Sequence, residues 1–111
     1  MAITSEHNEV VLAAVFRALA EPARLTILRH LFTGEHAVRE LTDHLGLAQS
    51  TVSAHLACLR DCGLVTVRSV GRSSRYSLAD PMRLAGVLAG TEELVRGPAA
   101  DTATCALVDQ T

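Results

Sequence analysis

Residues 49–63, written QSTVSAHLACLRDCG, constrain the fold of this chain more than any other stretch. Val52, Leu56 and Leu59 recur at helical spacing and make one apolar stripe that must pack on a core. Ser50, Ser53, Ala54 and Ala57 fall on the opposite side of the same helix. That side is small and uncharged, so the floor of a DNA groove can approach it closely. Ser50 and Thr51 are short hydrogen-bonding residues suited to phosphates or base edges, and Gln49 suits adenine. Cys58 and Cys62 lie one turn apart on the flank between the stripe and the open side. Gly63 is a stop signal, because glycine tolerates the left-handed conformation that ends a helix.

The flanking sequence supplies what such a helix needs. Residues 9–19 are apolar almost all round, with Val10, Val11, Leu12, Val15, Phe16 and Leu19. A helix of that kind is buried on more than one face, and in a chain of 111 residues the second face points to a partner subunit. Pro22 opens a second amphipathic helix carrying Leu25, Ile27, Leu28, Leu31 and Phe32, which ends before Gly34. Val38, Leu41 and Leu45 mark a short third helix stopped by Gly46, and Leu47 and Ala48 lead into residues 49–63. Helix, tight glycine-containing turn and second helix with polar leading residues fit a helix-turn-helix, and equally a plain hairpin in an all-helical bundle.

The segment C-terminal to residue 63 favours the first. Residues 64–70 alternate as a strand, residues 71–74 are turn-like, and Arg75, Tyr76, Ser77 and Leu78 make a second short strand. This hairpin comes directly after the reading helix, with Arg72 and Arg75 at and beside its tip. It is expected to act as a wing gripping phosphates or the minor groove. Net charge is −2, which argues against a general nucleic-acid binder. The charge is segregated, however: across residues 50–76 four arginines (Arg60, Arg68, Arg72, Arg75) face only Asp61. Every basic residue is arginine. Aromatics are 3% of the chain, which argues against base stacking on rings as the mode of binding.

A last helix is expected over residues 82–95, with Gly86 and Gly90 four apart and suited to close helix contact. It is read with the first helix as a dimer layer. Gly97 and Pro98 end regular structure. The division is therefore residues 1–96, a DNA-binding and dimerisation domain, and residues 97–111, a flexible tail carrying Cys105. The absence of a signal sequence or apolar span leads to the expectation of a cytoplasmic protein without membrane contact. In a reducing compartment three cysteines are thiols or metal ligands rather than structural disulfides. No Ser/His/Asp set, paired carboxylates or phosphate loop supports an enzyme.

Three stretches carry a family resemblance: ALAEPARLTILRHL, VRELTDHLGLAQSTVSAHLACLRDCGLV and VRSVGRSSRYSLAD. They resemble the ArsR/SmtB winged helix-turn-helix repressors over residues 12–94. The resemblance implies a mainly α fold with a small β-hairpin and about five helices. It also implies a homodimer on double-stranded palindromic operator DNA, released by a metal or oxidant. Within the family, HLACLRDCG together with a tail cysteine is most similar to the CmtR-type cadmium/lead sensors. That similarity implies Cys58, Cys62 and Cys105 as metal ligands. Neither the cysteine pair of one family group, before the reading helix, nor the histidines of another, on the last helix, is present.

The chemistry agrees with the resemblance. Thiols at i and i+4 are neighbours. Soft thiolates favour Cd(II), Pb(II) or As(III), while Zn(II) requires a fourth ligand. A thiol-based redox sensor or an arsenite sensor on the same fold is the alternative. The expected DNA-contacting set is Gln49, Ser50, Thr51, Ser53, Ala54, His55, Arg72 and Arg75. His7, His30, His36 and His44 are scattered along the sequence and are expected at surface positions.

Overall fold

The computed structural model describes residues 5–96, with side chains from residue 8 onward. Five helices and three short strands follow in the order α1 (Ser5–Leu19), α2 (Pro22–Leu31), β1 (His36–Ala37), α3 (Val38–Leu45), α4 (Gln49–Asp61), β2 (Val65–Val70), β3 (Ser73–Leu78) and α5 (Pro81–Leu94). The chain divides into two compact units, one ending at Asp80 and one beginning at Pro81.

The core of the first unit is aliphatic, as so few aromatics require. Ile27, Leu28 and Leu31 from α2 are buried with Leu41 from α3, and Val52, Leu56 and Leu59 from α4. The apolar stripe of α4 is therefore its inner face. Val65 and Leu78, paired across β2 and β3, extend the core to the sheet. Truncating one of the fully buried leucines to alanine costs about 2–5 kcal/mol through lost contacts and the cavity left behind.

Local chemistry sets the helix ends. Pro22 occupies the first turn of α2, and Glu21 before it accepts a 2.7 Å hydrogen bond from the Ala23 N–H. Glu40 reaches back from α3 to the Ala37 N–H at 2.7 Å, half of a capping box. Gly46 ends α3 at φ +68°. At the end of α4 the Leu64 N–H bonds the Leu59 carbonyl and the Gly63 N–H bonds the Arg60 carbonyl, both at 2.9 Å. With Gly63 at φ +78°, this is a Schellman ending, and it leaves Cys62 as the capping residue.

The sheet departs from the sequence reading in two ways. It has three antiparallel strands, in the order β1-β3-β2, not a hairpin alone. His36 pairs with Tyr76 and Ala37 with Arg75, so the residues just before α3 form the outer strand. The hairpin turn is also tighter than expected. Val70 pairs with Ser73, leaving only Gly71 and Arg72 in the loop, and Ser73 and Ser74 belong to the strand. Gly71 at φ +62° supplies the left-handed first position that two-residue hairpin turns require.

Helix α1 begins at Ser5, one turn before the expected start, and buries Ala18 and Leu19 at its far end. Val10, Val11, Leu12 and Phe16 remain exposed in the single chain. In the second unit, α5 exposes Met82, Val87 and Leu94. A Cβ at Gly86 or Gly90 would meet nothing within 4 Å. Among the described residues no helix is long and apolar enough to cross a membrane.

Candidate nucleic-acid interface and thiol pair

Helices α3 and α4 joined through Gly46, Leu47 and Ala48 form the helix-turn-helix. Gln49, Ser50, Thr51, Ser53 and Ala54 are all exposed on α4, with Ser50, Ser53 and Ala54 turned away from its buried stripe. Ala48, the residue before α4, has no side chain able to cap it. Thr51 and Val52 donate to the Ala48 carbonyl. The Gln49 and Ser50 N–H groups in the first turn are left for a phosphate, which the positive end of the helix also favours.

The wing stands beside this helix. An open cleft runs between them, lined by Arg39, Thr42 and Asp43 of α3, Gln49 of α4, and Arg72 and Arg75 of the wing. Arg39 was not among the expected contacts. Its signal lay in its place on an exposed turn of the first motif helix, visible only once that helix faces the wing.

The two wing arginines differ. Arg72, at the loop, is exposed and makes no ion pair among the described residues. Arg75 is half-buried and lies 3.6 Å from Glu40. It stands directly opposite Arg68 across the sheet, a like-charge pairing that would destabilise the strands if unrelieved. Arg68 is relieved by Glu35, to which its Nε and Nη2 donate at 2.6 and 2.9 Å. Those hydrogen bonds, aided by the nearby charges of Arg68 and Arg75, hold the Glu35 carboxyl below its ordinary range. The backbone hydrogen bond from Ala37 likewise lowers Glu40. Part of the positive charge counted in residues 50–76 is thus met by acids from outside that stretch.

His55, also among the expected contacts, is held from within the protein. Its ring is half-buried, and Nδ1 accepts a 3.2 Å hydrogen bond from Arg24 Nε. The same guanidinium donates to the Ala18 and Arg17 carbonyls at the end of α1. Arg24 thereby ties α1, α2 and α4 together.

Cys58 and Cys62 are free, half-buried thiols near enough to interact. The Cys62 thiol donates to the Ala14 carbonyl of α1 at 3.8 Å. Burial chiefly, then the neighbouring Cys58 and Asp61, push the Cys62 thiol up, so it holds its proton at neutral pH. Two adjacent soft sulfurs fit a thiophilic ion, but they are only two ligands. Among the described residues no group of three His, Cys, Asp or Glu side chains is arranged to hold a metal. Cys105 lies outside the described residues. His7 does so as a side chain.

The other three histidines, scattered in the sequence, lie together in the fold. His30 at the end of α2, His36 in β1 and His44 at the end of α3 have ring centres 5.2 to 6.4 Å apart.

A helix-turn-helix with an exposed small-residue face and an arginine-tipped hairpin beside it defines a winged helix-turn-helix, the fold of a class of DNA-binding regulators. Comparison with known proteins agrees. Residues 21–67 match the bacterial regulatory protein, arsR family, model. The regulator CmtR of Mycobacterium tuberculosis is 50% identical over 78 residues, 70% of this chain and 66% of that protein. A probable mercury resistance operon repressor from Streptomyces lividans is 48% identical over 69 residues, 62% of this chain and 55% of that protein. The alignments thus span just over half to about two thirds of these relatives. Among solved structures, one from Mycobacterium bovis is the homodimeric winged helix-turn-helix DNA-binding domain of a possible ArsR-family regulator. It is 31% identical with a TM-score of 0.71, covering 91% of this chain and all of that one. The chain belongs to the ArsR family.

Proposed function

We propose that this protein is a metal-responsive transcriptional repressor. It binds a palindromic operator as a homodimer and lets go when a thiophilic ion, Cd(II) or Pb(II), is held by Cys58, Cys62 and Cys105. The observation that carries the reading is the thiol pair at the end of the DNA-reading helix. The similarity to CmtR and to the mercury resistance repressor supports it. Gln49, Ser50, Thr51, Ser53 and Ala54 read the groove, while Arg72, with Arg75 behind it, grips the backbone. The exposed apolar residues of α1 and of α5 are each covered by the second copy. Two-fold symmetry of the dimer then sets the symmetry of the operator.

The route from thiol to DNA starts at Ala14. A Cys62 thiol that gives up its proton to become a ligand also gives up its hydrogen bond to α1. A thiolate beside a carbonyl oxygen repels it. Ion capture therefore frees the end of α4 from the helix whose outer face meets the partner subunit. A coupling of about 1–3 kcal/mol would weaken operator binding roughly 5–150-fold. Zn(II) and As(III) are secondary candidates. A redox trigger is disfavoured by the raised Cys62 thiol, since the thiolate is the reactive form.

The test is Cys58→Ser in a gel-shift titration on a promoter fragment. The variant should bind as the wild type does, yet stay bound when Cd(II) is added. Release at the wild-type concentration would remove the thiol site from the account.

A further inference from the structure

The three histidines His30, His36 and His44 take no part in the proposed operator contacts or the thiol pair. They come from three different elements, yet their rings meet. The centres of His30 and His44 are 5.2 Å apart, those of His36 and His44 5.8 Å, and those of His30 and His36 6.4 Å. An imidazole nitrogen sits about 2.1 Å from a bound Zn(II), which puts each ring centre roughly 3.2 Å from the ion. Two rings on tetrahedral corners then have centres roughly 5 Å apart. The three ring centres already lie within roughly 1.5 Å of that spacing.

The ring of His36 is also held as metal-binding imidazoles are. Its Nδ1 lies 2.7 Å from the Gly34 carbonyl oxygen. A carbonyl only accepts, so Nδ1 carries the hydrogen and Nε2 keeps a free lone pair. This is the outer hydrogen bond that fixes tautomer and orientation in metal-ligating histidines. In the present orientations His30 and His44 stack, 23° from parallel, and the nitrogens do not share a focus. Sharing one ion requires the His30 and His44 rings to turn about their own side-chain bonds while His36 keeps the place its hydrogen bond gives it. His44 is exposed and the other two are half-buried, so an ion can reach them from solvent.

We propose that His30, His36 and His44 form a second metal site, independent of the cysteines, for a borderline divalent ion such as Zn(II) or Ni(II). Imidazole suits these ions, whereas the thiol pair suits softer ones. Water completes the coordination. An ion there joins the last turn of α2 to the last turn of α3, and through β1 to the strand β3 with which it pairs. The filled site stiffens the DNA-reading unit.

The experiment uses the full chain with Cys58, Cys62 and Cys105 all changed to serine, so that thiol binding cannot contribute. Co(II), the spectroscopic stand-in for Zn(II), is titrated at about pH 8, where histidine is ordinarily neutral. One equivalent should bind, with visible bands of nitrogen and oxygen ligation and no thiolate charge-transfer band. His44→Gln and His36→Gln should each weaken uptake roughly 100-fold, the upper end of what even an outer hydrogen-bond partner is worth. His55→Gln should leave it unchanged. No uptake, or uptake indifferent to His36 and His44, overturns the proposal. If the serine variant does not fold, the wild-type chain answers by NMR with trace Ni(II). The ring protons of His30, His36 and His44 should broaden together ahead of those of His55, and broadening without that order overturns the proposal. Because the first arm contains no sulfur ligand, its failure leaves the cadmium reading standing.

Discussion

Phe16 offers the most direct test of the dimer. It is 57% exposed in the single chain, on an α1 that also exposes Val10, Val11 and Leu12. A phenylalanine side chain buries about 150–250 Å², so roughly 100 Å² of this one awaits a cover. Phe16→Ala would remove about 75 Å² of that, worth about 2 kcal/mol at 25 cal/mol per Å². In a two-fold interface each residue enters twice, so the dimer should lose about 4 kcal/mol, near a thousandfold in Kd. The monomer should hardly notice, because the lost atoms are already in water. Sedimentation equilibrium over a concentration series gives the dimer constant, and circular dichroism checks the fold. Operator affinity should fall at low protein concentration and recover where the dimer re-forms. A dimer constant within about twofold of wild type, in a folded variant, would refute the placement of α1 at the interface.

Three further outcomes are expected. Gly63→Ala meets no steric obstacle, so its cost is that of the left-handed backbone, about 1 kcal/mol after allowing for the stiffer unfolded chain; chemical denaturation should show that loss, and equal stability would contradict the cap. Glu35 titrates below its unfolded value because of Arg68, so its stabilisation is present above the ordinary carboxylate pKa of about 4.3 and lost as pH falls through the lower folded value. Thermal melts of Arg68→Gln should accordingly lose part of the acid-side slope, and an unchanged slope would show the pair contributes nothing. Finally, each thiol proton displaced by Cd(II) should raise apparent affinity about tenfold per pH unit between roughly pH 6 and 8; a pH-independent affinity in competition titrations would mean the thiols are not the ligands.

Features written in local spacing are legible in the sequence alone. The buried stripe of α4, the stops at Gly46 and Gly63, the start at Pro22 and the adjacency of Cys58 and Cys62 all follow from helix geometry. What stays hidden there depends on residues far apart in the chain. His36 and Ala37 form a strand only because β3 lies alongside, and two residues carry no periodicity to betray it. Arg24 and His55 are 31 residues apart, and Cys62 and Ala14 are 48 apart. The histidines look scattered because no spacing in sequence brings the ends of α2 and α3 and the edge of the sheet to one place. Charge counting over residues 50–76 overstates the free positive charge for the same reason. The acids that meet Arg68 and Arg75 sit before and within α3.

The placing of those acids has a mechanical consequence. From Glu35 to Glu40 the chain is fastened to the hairpin four times, by the grip on Arg68, by the His36 and Ala37 pairings, and by the Glu40–Arg75 contact. The hairpin and the lead into α3 are thus joined along one edge of the sheet. In the proposed dimer a release signal should therefore displace hairpin and helices together, and its effect should be read in the distance between the two copies.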